Sequence, residues 1–199
     1  FMNPEIIPMT QSCLQEGYQV LILTNAMRPM MRPRVQKALL ELQNSFNDQL
    51  TLRISLDHWS QVIHDKERGK GSYDQTLKGM RWLSENRFNM TIAGRALKAE
   101  KGKDFRQGYA KLFTKQGFDI DAFNPSKTVL FPEMDESADV PEITTACWSI
   151  LNKNPKTMMC SSSRMIVKRK GDTTPRVIAC TLLPYEPEFE LGETLQDAS

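Results

Sequence analysis

Four short apolar runs separated by amphipathic stretches recur at intervals of about 30 residues, and this alternation constrains the fold more than any other feature of the chain. The runs are residues 18–24 (YQVLILT), 50–56 (LTLRISL), 88–93 (FNMTIA) and 128–131 (TVLF), each about the length of a buried strand. Between them the apolar residues fall at helical spacing. Pro4, behind Asn3 as cap, is expected to open a first helix with Ile6, Ile7, Cys13 and Leu14 on one face, running to Gly17. Pro33 opens a second, with Val35, Ala38, Leu39, Leu42 and Phe46 in register. Ser72 caps a third, carrying Leu77, Met80, Trp82 and Leu83 inward, and a fourth occupies residues 104–116 until Gly117. The polar stretch 58–70 reads as a loop, and Gly94 as the end of the third strand.

Such alternation implies right-handed βαβ crossovers and an α/β fold: a parallel sheet, open or partly closed, with helices outside. From about Pro141 the pattern changes. A helix over 141–151 (PEITTACWSIL) and a loop at 152–156 precede two β-like segments, 164–168 and 176–181, joined through a Gly171-Asp172 turn. The tail after Pro184 is acidic and reads as irregular. Two domains are therefore expected, an α/β body over 1–135 and a small α+β appendage over 136–199.

Composition narrows the function classes. With 26 basic and 24 acidic residues the net charge is +2, so no strong field points to nucleic acid or anionic lipid. No apolar run approaches the roughly 20 residues of a membrane span, and the N-terminus lacks a basic region before an apolar core. A cytoplasmic protein is expected. Four scattered cysteines do not make a disulfide scaffold, and in a reducing compartment they stay thiols or bind metal.

In parallel α/β sheets ligands lie beyond the carboxyl ends of the strands. The residues at those ends are Thr24 and Asn25, then Ser55 and Asp57, then Gly94 and Arg95. They are able to bond a ribose, an amino-acid moiety or a phosphate, and the same types also end strands and cap helices. The stretch after the second strand holds His58, His64, Asp65, Lys66, Glu67 and Arg68. An arginine there is able to clamp a carboxylate with both edges of its fork, whereas a solvated charged loop accounts for the same composition. His58 and His64 lack the spacing of paired helical metal ligands and read as structural. Cys147, Cys160 and Cys180, separated by 13 and 20 positions, all fall in the appendage. Together they would supply three thiolates to an iron-sulfur cluster, or to zinc with a fourth ligand; buried apolar packing is the alternative.

In order along the chain, three segments resemble radical S-adenosylmethionine (radical SAM) enzymes. Residues 52–83 (LRISLDHWSQVIHDKERGKGSYDQTLKGMRWL) resemble the family's fourth-strand region, where Ser-Leu-Asp leads through His-Asp and Arg-Gly to a helix with Thr-Leu and Gly. Residues 20–27 (VLILTNAM) look like its third strand, and residues 1–6 (FMNPEI) like the segment after its Gly-Gly-Glu-Pro motif. The resemblance covers roughly residues 1–95 well and the remainder weakly.

It implies the C-terminal part of a partial (β/α)6 barrel. Such a barrel holds a 4Fe-4S cluster with S-adenosylmethionine on its open iron, and cleavage of that molecule to a 5′-deoxyadenosyl radical abstracts hydrogen from a small-molecule or peptide substrate. An electron donor is the implied partner. Carried over by position, Thr24 and Asn25 border the S-adenosylmethionine site, Ser55 and Asp57 bond its ribose or aminocarboxylate end, Arg68 neutralises its carboxylate, and Gly94 admits its adenine. The family's CxxxCxxC loop and Gly-Gly-Glu motif are absent from these 199 residues, as expected of a piece beginning just after the latter and inactive by itself. Cys147, Cys160 and Cys180 look like a reduced version of the auxiliary-cluster extensions called twitch or SPASM. Two other classes stay open: a non-redox α/β module binding a nucleotide or phosphosugar, which lacks a Gly-rich phosphate loop here, and an interaction domain with structural zinc, which lacks paired cysteine spacing.

Overall fold

The computed structural model describes residues 1–97, 102–133, 137, 139, 142, 144–180 and 183–198, with the backbone alone described for 102–104 and 160. They form two compact units, Phe1–Glu136 and Ser137–Ser199. In the first unit helices and strands alternate: α1 (Ile6–Gln15), β1 (Val20–Thr24), α2 (Pro33–Phe46), β2 (Leu50–Ser55), α3 (Gln61–Arg68), α4 (Ser72–Glu85), β3 (Asn89–Ala96), α5 (Gly102–Gln116) and β4 (Thr128–Pro132). The four strands make one parallel sheet in the order β1-β2-β3-β4.

Three boundaries differ from the sequence expectation. Asn3 does not cap α1 directly; its Oδ1 accepts the Glu5 amide at 2.9 Å and closes a turn before the helix starts at Ile6. Residues 61–68, read as loop, form α3. Its periodicity is hidden because the side chain it buries is the polar His64, while Val62 points outward. Gly94 does not end β3, which continues to Ala96 and pairs Gly94 with Leu130 and Arg95 with Phe131. A Cβ at Gly94 would overlap the Tyr109 hydroxyl, which reaches over to donate to the Leu56 carbonyl at 2.7 Å. The glycine is there for close packing of α5 on the sheet.

A sequential strand order with right-handed crossovers puts every helix on the same side of the sheet. Accordingly Ile22, Leu52, Ile54, Met90 and Ile92 point into one core with Leu39 and Leu42 of α2, Leu77, Met80 and Leu83 of α4, and Tyr109 and Phe113 of α5. The opposite face carries Leu21 and Leu23 of β1, Thr51, Arg53 and Ser55 of β2, Asn89, Thr91, Ala93 and Arg95 of β3, and Val129 and Phe131 of β4. Leu21 and Leu23 are 42% and 63% exposed, so β1 is not the strand buried on both faces that its continuous apolar run suggested. Apolarity in a strand reports β preference; burial is decided by what packs on each face.

The second unit contains α6 (Cys147–Ile150), α7 (Met159–Ser162) and an antiparallel sheet of β5 (Met165–Val167), β6 (Arg176–Ile178) and β7 (Glu190–Gly192), in that order. Of the helix expected over 141–151 only α6 is helical among the described residues; 142 and 144–146 are loop and turn, 151 is a turn, and 141 and 143 lie outside the described residues. The expected strand over 176–181 is β6 over its first three residues and ends at Ile178; 179 and 180 are not strand, and residue 181 lies outside the described residues. The tail read as irregular supplies β7. Three residues, Glu-Leu-Gly, offer no alternation to read, and the strand is held by pairing and by ion pairs from Arg169 and Arg176 to Glu190 at 2.8 and 3.5 Å.

Candidate functional site

A cleft of about 580 Å³ opens at the carboxyl ends of the parallel strands, a size usual for small-molecule sites. Leu23, Ser55 and Ala93 contribute from the open sheet face, and Asp57, Glu67, Arg68, Gly94, Arg95, Phe131 and Glu133 are among the other lining residues. Beyond Ser55 the chain stays bound to β3. The Leu56 amide donates to the Ala93 carbonyl at 3.0 Å and the Arg95 amide to the Asp57 carbonyl at 2.9 Å. Asp57 is thereby fixed in space before any side-chain contact.

Arg68, in the last turn of α3, comes back onto that carboxylate. Its Nε donates to Asp57 Oδ2 at 2.7 Å and its Nη2 to Oδ1 at 2.9 Å, a bidentate pair with side-chain exposures of 32% and 7%. Arg95 and Glu67 make a second, more exposed pair at 3.1 Å. Two guanidinium groups, two carboxylates and the Ser55 hydroxyl thus line one cleft, a donor and acceptor set suited to a zwitterionic ligand with hydroxyls.

The structure brings Ser55, Asp57, Arg68 and Gly94 to this cleft, together with Arg95. Thr24 and Asn25 stand outside its lining, where β1 is represented by Leu23. Their side chains serve the turn that follows β1: Thr24 Oγ1 accepts the Ala26 amide and Asn25 Oδ1 the Met27 amide, both at 3.1 Å. Phe131 and Glu133 are cleft residues that strand-end counting on the first three strands missed. Continuing the count to the end of the fourth strand would have reached them.

The helices around the cleft are tied by Asp65. Its carboxylate accepts from the Gly71 and Tyr73 amides, both at 2.9 Å, and from the Ser72 hydroxyl at 3.1 Å, joining α3 to the start of α4. The Tyr73 and Gly71 amide bonds hold its pKa below the ordinary carboxylate value.

His64 lies behind the Asp57–Arg68 pair, fully buried, with its ring edge-on to Tyr73 at 5.7 Å and both nitrogens without a hydrogen-bond partner among the described residues. Burial lowers its pKa from the ordinary 6.5; Asp57 and Asp65 oppose that shift, and Arg68 and His58 add to it. Its folded-state pKa therefore lies below its unfolded value, so its contribution to stability is full above pH 6.5 and falls as pH drops through 6.5 toward the folded pKa. Urea midpoints measured from pH 7.5 down to about pH 5 are expected to decline, and to decline less in His64→Phe. Equal slopes in both proteins would remove His64 as the cause.

In the second unit Cys147 and Cys180 are half-buried free thiols, and the side chain of Cys160 lies outside the described residues. Among the described residues no three His, Cys, Asp or Glu side chains are grouped to hold a metal ion. Nor does any described helix have the length and apolarity to cross a membrane.

No family model matches the chain. AlbA of Bacillus subtilis (strain 168), the antilisterial bacteriocin subtilosin biosynthesis protein, is 24% identical over 220 residues, covering 100% of this chain and 45% of AlbA. Among solved structures, Streptococcus suis SuiB bound to S-adenosylmethionine superposes with a TM-score of 0.52 at 9% identity, covering 95% of this chain and 48% of SuiB. SuiB bound to its precursor peptide SuiA gives 0.40 at 12% identity, covering 58% and 24%. The chain spans about half the length of AlbA and of the S-adenosylmethionine-bound SuiB. The second of these likenesses is one of fold. Joined to the ordered motifs of residues 1–6, 20–27 and 52–83 and to the match with AlbA along the whole of this chain, it supports the resemblance of this chain to the radical SAM superfamily.

Proposed function

We propose that the first unit is the C-terminal part of a partial (β/α)6 barrel whose cleft binds S-adenosylmethionine, in an enzyme that modifies a peptide. The observation that carries this is the convergence of Ser55, Asp57, Arg68 and Gly94 on one cleft at the carboxyl ends of four sequentially ordered parallel strands. Helices on one side only, with polar and apolar side chains on the other, is the layout of a sheet that curls into a barrel rather than a doubly wound one. AlbA is named for the biosynthesis of a bacteriocin, and SuiB has been crystallised with a precursor peptide; a peptide substrate is the class these relatives share.

A 4Fe-4S cluster, held by residues other than those of this cleft, would supply with bound S-adenosylmethionine the radical chemistry of hydrogen abstraction. The role of this chain's residues is to bind and orient. Ser55 donates to or accepts from the ribose, and Arg68, already locked by Asp57, presents its remaining N–H groups toward the carboxylate. Gly94 contributes to the cleft lining beside them. Thr24 and Asn25 shape the adjoining turn. Equilibrium dialysis with labelled S-adenosylmethionine is expected to show saturable binding that weakens about 3- to 10-fold in Ser55→Ala, the worth of one hydrogen bond. Binding that is equal in Ser55→Ala and wild type would place the ligand elsewhere.

Cys147, Cys160 and Cys180 are proposed as ligands of an auxiliary cluster, since all three fall in the second unit. After anaerobic reconstitution, roughly four irons present in the wild type and missing from the triple alanine variant are expected. No iron in either would leave the three thiols structural.

A further inference from the structure

Arg53 sits in the middle of the open sheet face, in register with Leu23 of β1 and Thr91 of β3. Its Nε donates to Thr91 Oγ1 at 3.1 Å, and Nη1 and Nη2 have no partner among the described residues. The other guanidinium groups near the cleft, those of Arg68 and Arg95, are each matched by a carboxylate. Arg53 has no such match among the described residues, and the strands place no Asp or Glu on its face. It is half-buried between an exposed leucine and a buried threonine, a setting in which a charge is costly unless it is paired.

We propose that Arg53 is a specificity-determining residue that takes the side-chain carboxylate of an acidic residue in the peptide substrate. The geometry supports one occupant. Thr91 holds the Nε edge of the guanidinium, so the end-on fork of Nη1 and Nη2 is left, which fits one carboxylate with two parallel hydrogen bonds. Arg53 lies two residues before Ser55 on the same strand face, roughly 7 Å deeper than the cleft floor, so a chain lying across the cleft reaches it with a side chain. The neighbouring Leu21, Leu23 and Phe131 offer the apolar surface that the stem and flanking residues of such a peptide would cover. The proposal rests on the peptide-modifying function above.

The test is a titration of the ¹⁵N-labelled 199-residue chain with acetyl-Ala-Glu-Ala-amide and with acetyl-Ala-Gln-Ala-amide, followed at the amides of Thr51, Arg53 and Thr91 and at the Arg53 Nε–H. The glutamate peptide is expected to bind at least about 10-fold more tightly, and the difference to vanish in Arg53→Gln. If Arg53→Gln loses its dispersed spectrum, Arg53→Lys, which keeps the charge but not the planar fork, is expected to weaken the glutamate peptide alone. Equal affinity for the two peptides, no saturable shift from either, or a preference that survives in the variants overturns the proposal. A parallel titration with S-adenosylmethionine separates the sources of carboxylate. Its affinity is expected to be unchanged in Arg53→Gln, and a loss there would assign Arg53 to that ligand instead. Failure of S-adenosylmethionine to bind while the glutamate preference holds would count against the cofactor site alone.

Discussion

Gly79→Ala is expected to lower the stability of the first unit by about 3 kcal/mol, although alanine is the better helix former by about 1 kcal/mol. Gly79 lies in the buried face of α4, and a Cβ there would overlap the carbonyl of Ala26, in the turn after β1. The contact is backbone against backbone, so no side-chain rotation relieves it. The turn itself has little freedom: Ala26 is held at a φ of 55°, and the Asn25 carbonyl accepts the Thr76 hydroxyl at 3.1 Å from the same helix. Urea denaturation followed by far-UV circular dichroism measures the loss. A midpoint equal to or above wild type would mean that α4 and the turn separate freely, and would discard the close approach as a constraint.

The second large effect is expected at Asp57. Breaking a buried ion pair from one side costs about 3–5 kcal/mol when the partner is left buried, and the 32% exposure of Arg68 brings the expectation for Asp57→Ala down to about 2 kcal/mol. Arg68→Ala leaves the more deeply buried carboxylate without its bidentate partner and is expected to cost at least as much. The double variant is expected to be less destabilised than the sum, since neither orphaned charge remains; a coupling of about 1 kcal/mol or more is anticipated for groups in direct contact. Strict additivity would show that the pair contributes nothing as a pair. S-adenosylmethionine retention is expected to fall in all three variants, because Arg68 loses its fixed orientation once Asp57 is gone.

Both effects fall at positions whose residue types are visible in the sequence but whose reasons are not. Ser55, Asp57 and Gly94 are legible as strand-end residues, and the cleft brings them together because strand ends of a parallel sheet lie side by side. Arg68, expected to meet a ligand carboxylate, also holds Asp57, eleven positions earlier. That partnership depends on the helical turns of 61–68, which the polar composition conceals. Thr24 and Asn25 are also strand-end residues, yet their oxygens are taken up by the Ala26 and Met27 amides, a local competition that strand counting does not register.

The sequence by itself determined the alternation of strands and helices, the change of pattern near Pro141 and the family motifs, because periodicity and turn chemistry are local properties written in neighbouring residues. Only the tertiary structure decided which face of the sheet the helices cover, that Leu21 and Leu23 face outward, and that among the described residues Arg53 has no carboxylate partner while Arg68 and Arg95 have one. It also decided that three residues of the acidic tail pair as a strand. Those outcomes depend on contacts between segments far apart in the chain, where the energy of a side chain is set by what the fold brings beside it and not by its own preferences.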